Sequence, residues 1–271
     1  MNPKAGTIVE RRSACLSLAR MLLLSGALVA VGADAQAQGS DAKSILKAMS
    51  DYVGRQQTIE LTFDSDIEVI TPQLEKIQFT NSGEVLLSRP NKMRARRAGG
   101  YADVALYFDG KTVSIYGKSV DGYAQFDAPG TLDQLIVALR EGHGIALPGA
   151  DLLLSNSYDG LVAGVLDSKH IGRGVVDGRM CEHLAFRNFD TDWQIWVETG
   201  DQPVPRKMVI TSKTLNAAPQ YTVRVKSWKT GVAPASNAFA FSPPATAQRL
   251  SPDNLLDLDE LPPGVPAGEA K

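Results

Sequence analysis

Between residues 58 and 69 the chain changes character at almost every step. Ile59, Leu61, Phe63, Ile67 and Val69 are apolar, while Glu60, Thr62, Asp64, Asp66 and Glu68 stand between them. A period of two sends alternate side chains to opposite faces, so the pattern predicts a strand with one buried and one wet face. Strand-like runs follow at 79–88, 92–97, 104–108, 112–116 and 122–126, and again at 161–166, 181–188, 193–198, 207–212 and 221–228. Trp193, Ile195 and Val197 share one face, as do Tyr221, Val223 and Val225. The pairs Asp109-Gly110, Asp121-Gly122, Asp159-Gly160 and Asp177-Gly178 suit type I′ turns, whose two central residues need positive φ. Hairpins rather than crossovers are therefore expected to connect an antiparallel sheet.

Helical spacing appears at two places. Ile45, Leu46, Met49, Tyr52 and Val53 form an apolar stripe behind Ser40 and Asp41 as caps. In mid-chain, Thr131 to Gln134 reads as a capping box, and Leu132, Leu135, Ile136 and Leu139 then mark one face of a helix. A second short helix is expected from Pro148, carrying Leu152, Leu153 and Leu154, with the glycine-rich stretch 142–149 joining the two. Beyond Pro243-Pro244 an acidic, proline-rich tail, 251–271, reads as solvated.

At the N-terminus, Lys4, Arg11, Arg12 and Arg20 precede the apolar run 21–31, and small residues follow. That order predicts a secretory signal peptide over 1–37, cleaved after Ala37 or after Ala35. A run of about 12 apolar residues is too short for a ~30 Å hydrocarbon core, which needs about 20. Arg11-Arg12 also suits twin-arginine export, although Ser13, Ala14, Cys15 and Leu16 match that signal poorly. Removal of 1–37 leaves 24 basic and 28 acidic side chains, a net charge of −4. Asp253, Asp257, Asp259, Glu260 and Glu269 against Lys271 account for all of it, so the domain expected over 38–250 is close to neutral. A neutral domain lacks the basic face that nucleic-acid binding requires. Cys181 is then the only cysteine, which excludes an intramolecular disulfide.

Three segments carry a family resemblance: Gly83-Glu84-Val85-Leu86-Leu87-Ser88-Arg89-Pro90-Asn91-Lys92-Met93-Arg94, Phe108-Asp109-Gly110-Lys111-Thr112, and Phe239-Ala240-Phe241-Ser242-Pro243-Pro244. They resemble the periplasmic lipoprotein-carrier superfamily (LolA/LolB-like), and most closely an uncharacterised family of predicted periplasmic proteins related to it. The resemblance implies a mainly β (α+β) fold, a curved unclosed antiparallel β barrel covered by a few helices. It also implies an apolar hollow for acyl chains between sheet and helical lid. In the carriers an arginine before a Pro-Asn pair helps hold the lid shut, and Arg89 occupies that place. The chain differs from the carriers in its longer C-terminal tail and in the stretch from Gly160 to Gly178.

On that basis Leu61, Phe63, Val85 and Leu87 of the sheet, with Leu132, Leu135, Ile136 and Leu139 of the lid, are the candidate ligand-binding residues, and Arg89 is the candidate latch. The same apolar side chains serve equally well as solid core, because periodicity does not distinguish the two. Lys92, Arg94, Arg96 and Arg97 form a basic run that can meet a lipid headgroup or an acidic partner, or can simply be the wet face of a strand. Trp193, Trp196 and Trp228 read as sheet packing. Phe79 and Phe108, with the free edges of an unclosed barrel, offer surfaces for pairing.

Enzyme signatures are lacking in the sequence. Asp109-Gly110-Lys111-Thr112 has Ala105 where a phosphate loop needs its first glycine, and no Gly-x-Ser-x-Gly elbow is present. His143, His170 and His183 are scattered without metal-ligand spacing, so neither a metal nor a cofactor is expected. The sequence therefore points to a periplasmic, non-enzymatic carrier of lipid or acylated protein cargo. The competing expectation is an interaction or stress-sensing module that binds a membrane-anchored envelope partner.

Overall fold

A computed structural model describes residues 30–251 except 129, 144, 146 and 148, and the side chains of 30–38, 40 and 143 are outside the description. Most of the expected signal peptide, Pro148 and the tail beyond Ser251 thus lie outside the described residues. Among the described residues one sheet of twelve strands carries the fold. In chain order these are β1 (Thr58–Ile70), β2 (Lys76–Ser88), β3 (Lys92–Gly99), β4 (Asp103–Phe108), β5 (Thr112–Gly117) and β6 (Gly122–Asp127), then β7 (Asp167–Val176), β8 (Arg179–Arg187), β9 (Thr191–Glu198), β10 (Pro205–Ser212), β11 (Gln220–Thr230) and β12 (Gln248–Arg249). The helices are α1 (Ala30–Arg55), α2 (Leu132–His143) and α3 (Ser157–Val162), with a 3-10 turn at Ala150–Leu153.

In space the strands run β12-β6-β5-β4-β3-β2-β1-β11-β10-β9-β8-β7. Two meanders, β1 to β6 and β7 to β11, are zipped together by antiparallel pairing of β1 with β11. The sheet is curved and unclosed, as expected. Most of the predicted hairpins form, and at Asp177-Gly178 both residues have the positive φ of the expected turn, 48° and 78°. Two connections depart from that pattern. β12 pairs parallel to β6, and the helical segment joins β6 to β7 across the whole sheet.

Three other expectations fail. Ser40 and Asp41 do not cap a helix, because α1 already runs from Ala30 and both lie inside it. Asp159-Gly160 is not a hairpin turn, and 161–166 is not a strand. Both fall on α3 and the link that follows it, where the buried Ser157 hydroxyl donates to Ser50 Oγ at 2.8 Å and fixes the turn against α1. The missing strand is instead β7, whose polar, glycine-containing sequence hides its alternation. Finally, Phe108 is fully buried and offers nothing to a second molecule, while Phe79 packs edge-on against Tyr101 at 5.6 Å.

The core lies between the concave face of the sheet and the helices. Ala42, Leu46, Met49 and Val53 of α1 repeat every three or four residues, are fully buried, and face β7, β8 and β9. Ile59 and Leu87 from one meander, with Leu184, Ile195 and Val197 from the other, complete that layer. On the convex face, Phe241 sits among Tyr107, Tyr116 and Tyr123 with ring centroids 5.3, 6.2 and 5.5 Å away. It pins the segment leading to β12.

One buried ion pair supports the second meander. Arg206, 6% exposed, donates through Nε to Glu198 Oε2 at 2.6 Å, and Arg179 donates to the other oxygen at 2.8 Å. Burial alone would raise the Glu198 pKa, but the two guanidinium groups outweigh it and hold it below the usual glutamate range. A depressed carboxylate contributes stability that is complete above its unfolded pKa and is lost as pH falls through the folded value. Glu198→Gln should therefore cost about 3 kcal/mol at neutral pH, the lower end for a broken buried pair, because it strands a buried guanidinium while Glu198 itself is partly in contact with water. Urea unfolding at pH 7 and at successively lower pH should show the gap to the parent protein narrowing as the solution becomes acidic.

Candidate functional site

The crossover from β6 to β7 opens with the expected capping box. Thr131 N donates to Gln134 Oε1 at 2.9 Å, and Gln134 N donates to Thr131 Oγ1 at 3.3 Å. This sets the phase of α2, whose Leu132, Leu135, Ile136 and Leu139 are all buried, at most 3% exposed. Leu132, Leu135 and Leu139 join the same cluster as Leu61, Val85 and Leu87. Six of the eight candidate ligand residues are therefore packed in one closed apolar cluster, Ile136 is buried outside it, and Phe63 alone among them keeps part of its surface. At about 1.5–3 kcal/mol for each buried aliphatic side chain, the stripe of α2 contributes roughly 6–12 kcal/mol.

The place of the cover is set by polar bonds that meet at the β2–β3 turn. Arg89 Nη2 donates to Leu153 O at 2.7 Å and Nε donates to Gln56 O at 3.1 Å, which joins the 3-10 turn to the end of α1. Arg89 N donates to Gln57 O at 2.8 Å, and Gln57 Nε2 returns a bond to Arg89 O. Leu132 N, at the start of α2, donates to Pro90 O at 2.8 Å. Carbonyls at the end of a helical turn lack intrahelical partners and carry partial negative charge, so a guanidinium suits them. Burial draws the Arg89 pKa below its ordinary value while the Asp133 carboxylate pulls it back.

Further bonds fasten the cover to itself and to α1. Asp133 accepts from Ser155 N at 3.0 Å and from the Ser155 hydroxyl. Arg140 grips Asp151 with two bonds of 2.9 and 3.0 Å. Ser50 Oγ also accepts from Tyr158 N at 2.9 Å. At Gly54 a Cβ would lie 2.2 Å from Ser155 O, so α1 and the link to α3 touch backbone to backbone. Sequence reasoning missed all of these. Asp133 and Ser155 stand 22 residues apart, and Arg140 and Asp151 stand 11 apart, so no periodicity connects them.

The cover does not seal the sheet evenly. Gly149 reaches the Val223 side chain, 3.4 Å from an added Cβ to Cγ1. Phe63, Ile67, Phe79, Ile210 and Tyr221 on the same concave face are only half-buried. The Phe63 ring lies over Gly83, where an added Cβ would come within 2.3 Å of it.

The four basic candidates do not form one patch. The β2–β3 register places Lys92, Arg94 and Arg96 on the convex face and Arg97 on the concave face, opposite Gly83. Arg96 binds Asp103 through two bonds of 2.8 and 2.7 Å, and Arg94 meets Glu84 at 3.4 Å. Trp193 packs in the core against Phe186, whereas Trp196 lies on the outer face, stacked on His183 with centroids 4.1 Å apart. Trp228 packs against the core. Cys181 is fully buried, and burial, assisted by Glu198, pushes its thiol pKa up. Among the described residues no group of three His, Cys, Asp or Glu side chains is placed to hold a metal ion. Asp109 Oδ1 accepts from the Lys111 and Thr112 amides, both at 2.9 Å, as a turn residue does.

The described residues thus form an open, mostly antiparallel sheet whose concave face is crossed by a helical cover held at an Arg-Pro-Asn turn. The chain belongs to the family described as predicted periplasmic protein (DUF2092), whose model matches residues 42–251. No curated protein matches the sequence. Among solved structures the chain is similar to an uncharacterised conserved protein of Thermus thermophilus, with 11% identity over 78% of this chain and 99% of that one and a TM-score of 0.46. It is also similar to the lipoprotein LppX of Mycobacterium tuberculosis, with 12% identity, 72% and 98% coverage, and a TM-score of 0.45. A third similarity is to the MucA/MucB complex of Pseudomonas aeruginosa, with 17% identity, 74% and 61% coverage, and a TM-score of 0.42.

Replacing Arg89 by leucine removes the donors of two part-buried carbonyls, Gln56 O and Leu153 O, each such charged bond being worth about 1.5–3 kcal/mol. In Arg89→Leu, hydrogen exchange of the amides from Leu152 to Val165 should accelerate at least tenfold, while those of β8 and β9 stay protected. Equal acceleration throughout would show that the turn supports the whole fold and not the cover.

Proposed function

We propose that this is an exported, non-enzymatic binding or carrier protein for an apolar or amphiphilic ligand, a lipid or a lipoprotein acyl chain. The segment 1–37 acts as its cleavable signal. The observation that carries the reading is the cover itself: an apolar helix face seated on a concave apolar sheet and positioned by bonds that converge on one arginine turn. Opening at that turn exposes Leu132, Leu135, Ile136 and Leu139 toward Leu61, Phe63, Val85 and Leu87. An acyl chain of some 16 carbons brings on the order of 10 kcal/mol of burial, comparable to what the parted leucines give up. The chain substitutes for the contacts it displaces, and Arg89 acts as the latch that sets how often the cover parts.

A second reading is an interaction module for a membrane-anchored envelope partner, favoured by the free edge strand β7. There Ile171 and Val175 are 54% and 64% exposed, with Met180 beside them at 47%.

Native mass spectrometry of the mature protein purified from a bacterial periplasm, before and after addition of palmitate, tests the choice. A bound acyl species, taken up several times faster by Arg89→Leu, is the expected result. A folded protein that stays empty at saturating palmitate in both forms would sink the carrier reading and leave the edge-strand module.

A further inference from the structure

Strand direction sorts the connections of the sheet into two ends. At one end stand the β2–β3 turn with Arg89, the β4–β5 turn, the Asp177-Gly178 turn and the loop 199–204. At the opposite rim stand the β1–β2, β3–β4, β5–β6, β8–β9 and β10–β11 turns, together with the link 163–166 into β7, where Leu166 N donates to Arg187 O at 2.7 Å. Among the described residues ten large apolar side chains are exposed, and six of them are at this rim. Leu74, Tyr101, Val120 and Phe189 each ride on a different turn, at 66%, 55%, 52% and 87% exposure, with Leu166 on the link at 69% and Ile77 at the start of β2. The turns at the Arg89 end carry none of the ten, and the remaining four lie on α2 and within strands β7 and β8.

Single exposed apolar side chains are ordinary on a protein surface, but chance would spread them over both ends. Local structure also holds two of these outward. Leu74 has a φ of 65°, in the left-handed region that glycine or asparagine fills more readily, and its turn is closed by Leu74 N donating to Thr71 O at 2.8 Å. Beside Phe189, the Asn188 side chain accepts from Trp193 Nε1 at 3.1 Å and donates to Ala163 O at 3.3 Å, which ties this turn to the link that carries Leu166. Charges at the rim are matched in pairs: Lys76 with Glu68 at 3.0 Å, Lys169 with Asp167 at 3.5 Å, and Arg187 and Lys213 with Asp192 at 3.4 and 3.1 Å. A protein partner needs a continuous complementary surface of about 800 Å² with a packed centre. Apolar tips on separate turns offer no such centre, whereas the interface of a bilayer accepts each tip independently.

We propose that this rim docks on a lipid bilayer, with Leu74, Tyr101, Val120, Leu166 and Phe189 entering the boundary between headgroups and acyl chains. Ile67, Phe79, Ile210 and Tyr221, the half-buried residues of the concave face, lie close to the same turns, so the open half of that face is directed at the membrane. Docking stands whether or not an acyl chain is carried, and it gives a carrier its place of exchange. Because the rim charges are paired, attachment depends on apolar burial and not on headgroup charge, and it survives raised salt.

The test is flotation of the mature protein with vesicles of phosphatidylcholine, and with vesicles of phosphatidylethanolamine and phosphatidylglycerol, at low and at raised salt. The parent should float with both. Leu74→Ser and Phe189→Ser, each shown by thermal unfolding to be folded, should each weaken partition about tenfold or more, and together should abolish it. Val137→Ser, on the exposed side of α2, should float as the parent does. Orientation has its own readout. Cys181 is fully buried, so a cysteine placed at Val120 or, at the opposite end, at exposed Gln202 takes an environment-sensitive fluorophore selectively. The label at Val120 should shift to the blue on vesicles and the label at Gln202 should not. A parent that stays in solution with both lipids, flotation that survives the double substitution, binding to anionic vesicles alone that salt abolishes, or equal shifts at both ends overturns the docking surface. Each of these leaves the carrier reading to its own test with palmitate.

Discussion

Strands β6 and β7 are consecutive in the meanders yet lie ten strand intervals apart, and this topology governs the rest of the structure. At ~4.8 Å per interval a flat sheet would set them roughly 48 Å apart. The chain between them must return across one face, and it does so as helical pieces, which satisfy their own backbone groups where water is scarce. Curling the sheet shortens the journey and gives the helices a concave bed. The cover is thus a consequence of strand order, and its apolar underside is the price of crossing a buried surface.

Two kinds of force then act on that cover, and they differ in size and in role. Leucine burial along α2 supplies most of its attachment but is indifferent to small displacements, since apolar contact is non-directional. The bonds from Arg89 and to Pro90 are worth less in total and fix where the cover sits. Arg140 and Asp151, both partly in water, add a surface clamp worth under about 1 kcal/mol. A seat that is strong but unspecific, indexed by a few directional bonds at one turn, can be released at that turn without dismantling the sheet.

Much of this was legible in the sequence. The alternation from Ile59 to Val69 and the Asp-Gly pairs gave a one-sided antiparallel sheet, and Thr131 with the Leu132 to Leu139 stripe gave the covering helix and its buried face. The family resemblance, not periodicity, drew attention to Arg89. What stayed hidden has physical reasons. Strand β7 packs under α1 through small residues such as Gly39 against Ser168, so its inward face needs no large apolar side chains. Asp159-Gly160 looked like a turn because both residues are weak helix formers, and only the bonds of Ser157 and Tyr158 to Ser50, remote in sequence, hold them in a helical turn. The basic run 92–97 looked like one patch because its fourth member is adjacent in sequence. Adjacency on a strand means opposite faces, and only the register showed that Arg97 points inward while Arg96 points out.

That inward arginine changes how the concave face divides. Beneath the helices the face is dry and closed, with Leu46, Met49, Leu87, Phe108, Leu132, Leu139, Leu184 and Ile195 all fully buried. Beyond Gly149 it is aromatic, half-open and marked by polar groups. In the carrier reading proposed above, the bonds at Arg89 set how often the cover parts, and a chain that enters as it parts replaces each leucine contact as it is lost, which lowers the cost of exposing both apolar surfaces at once.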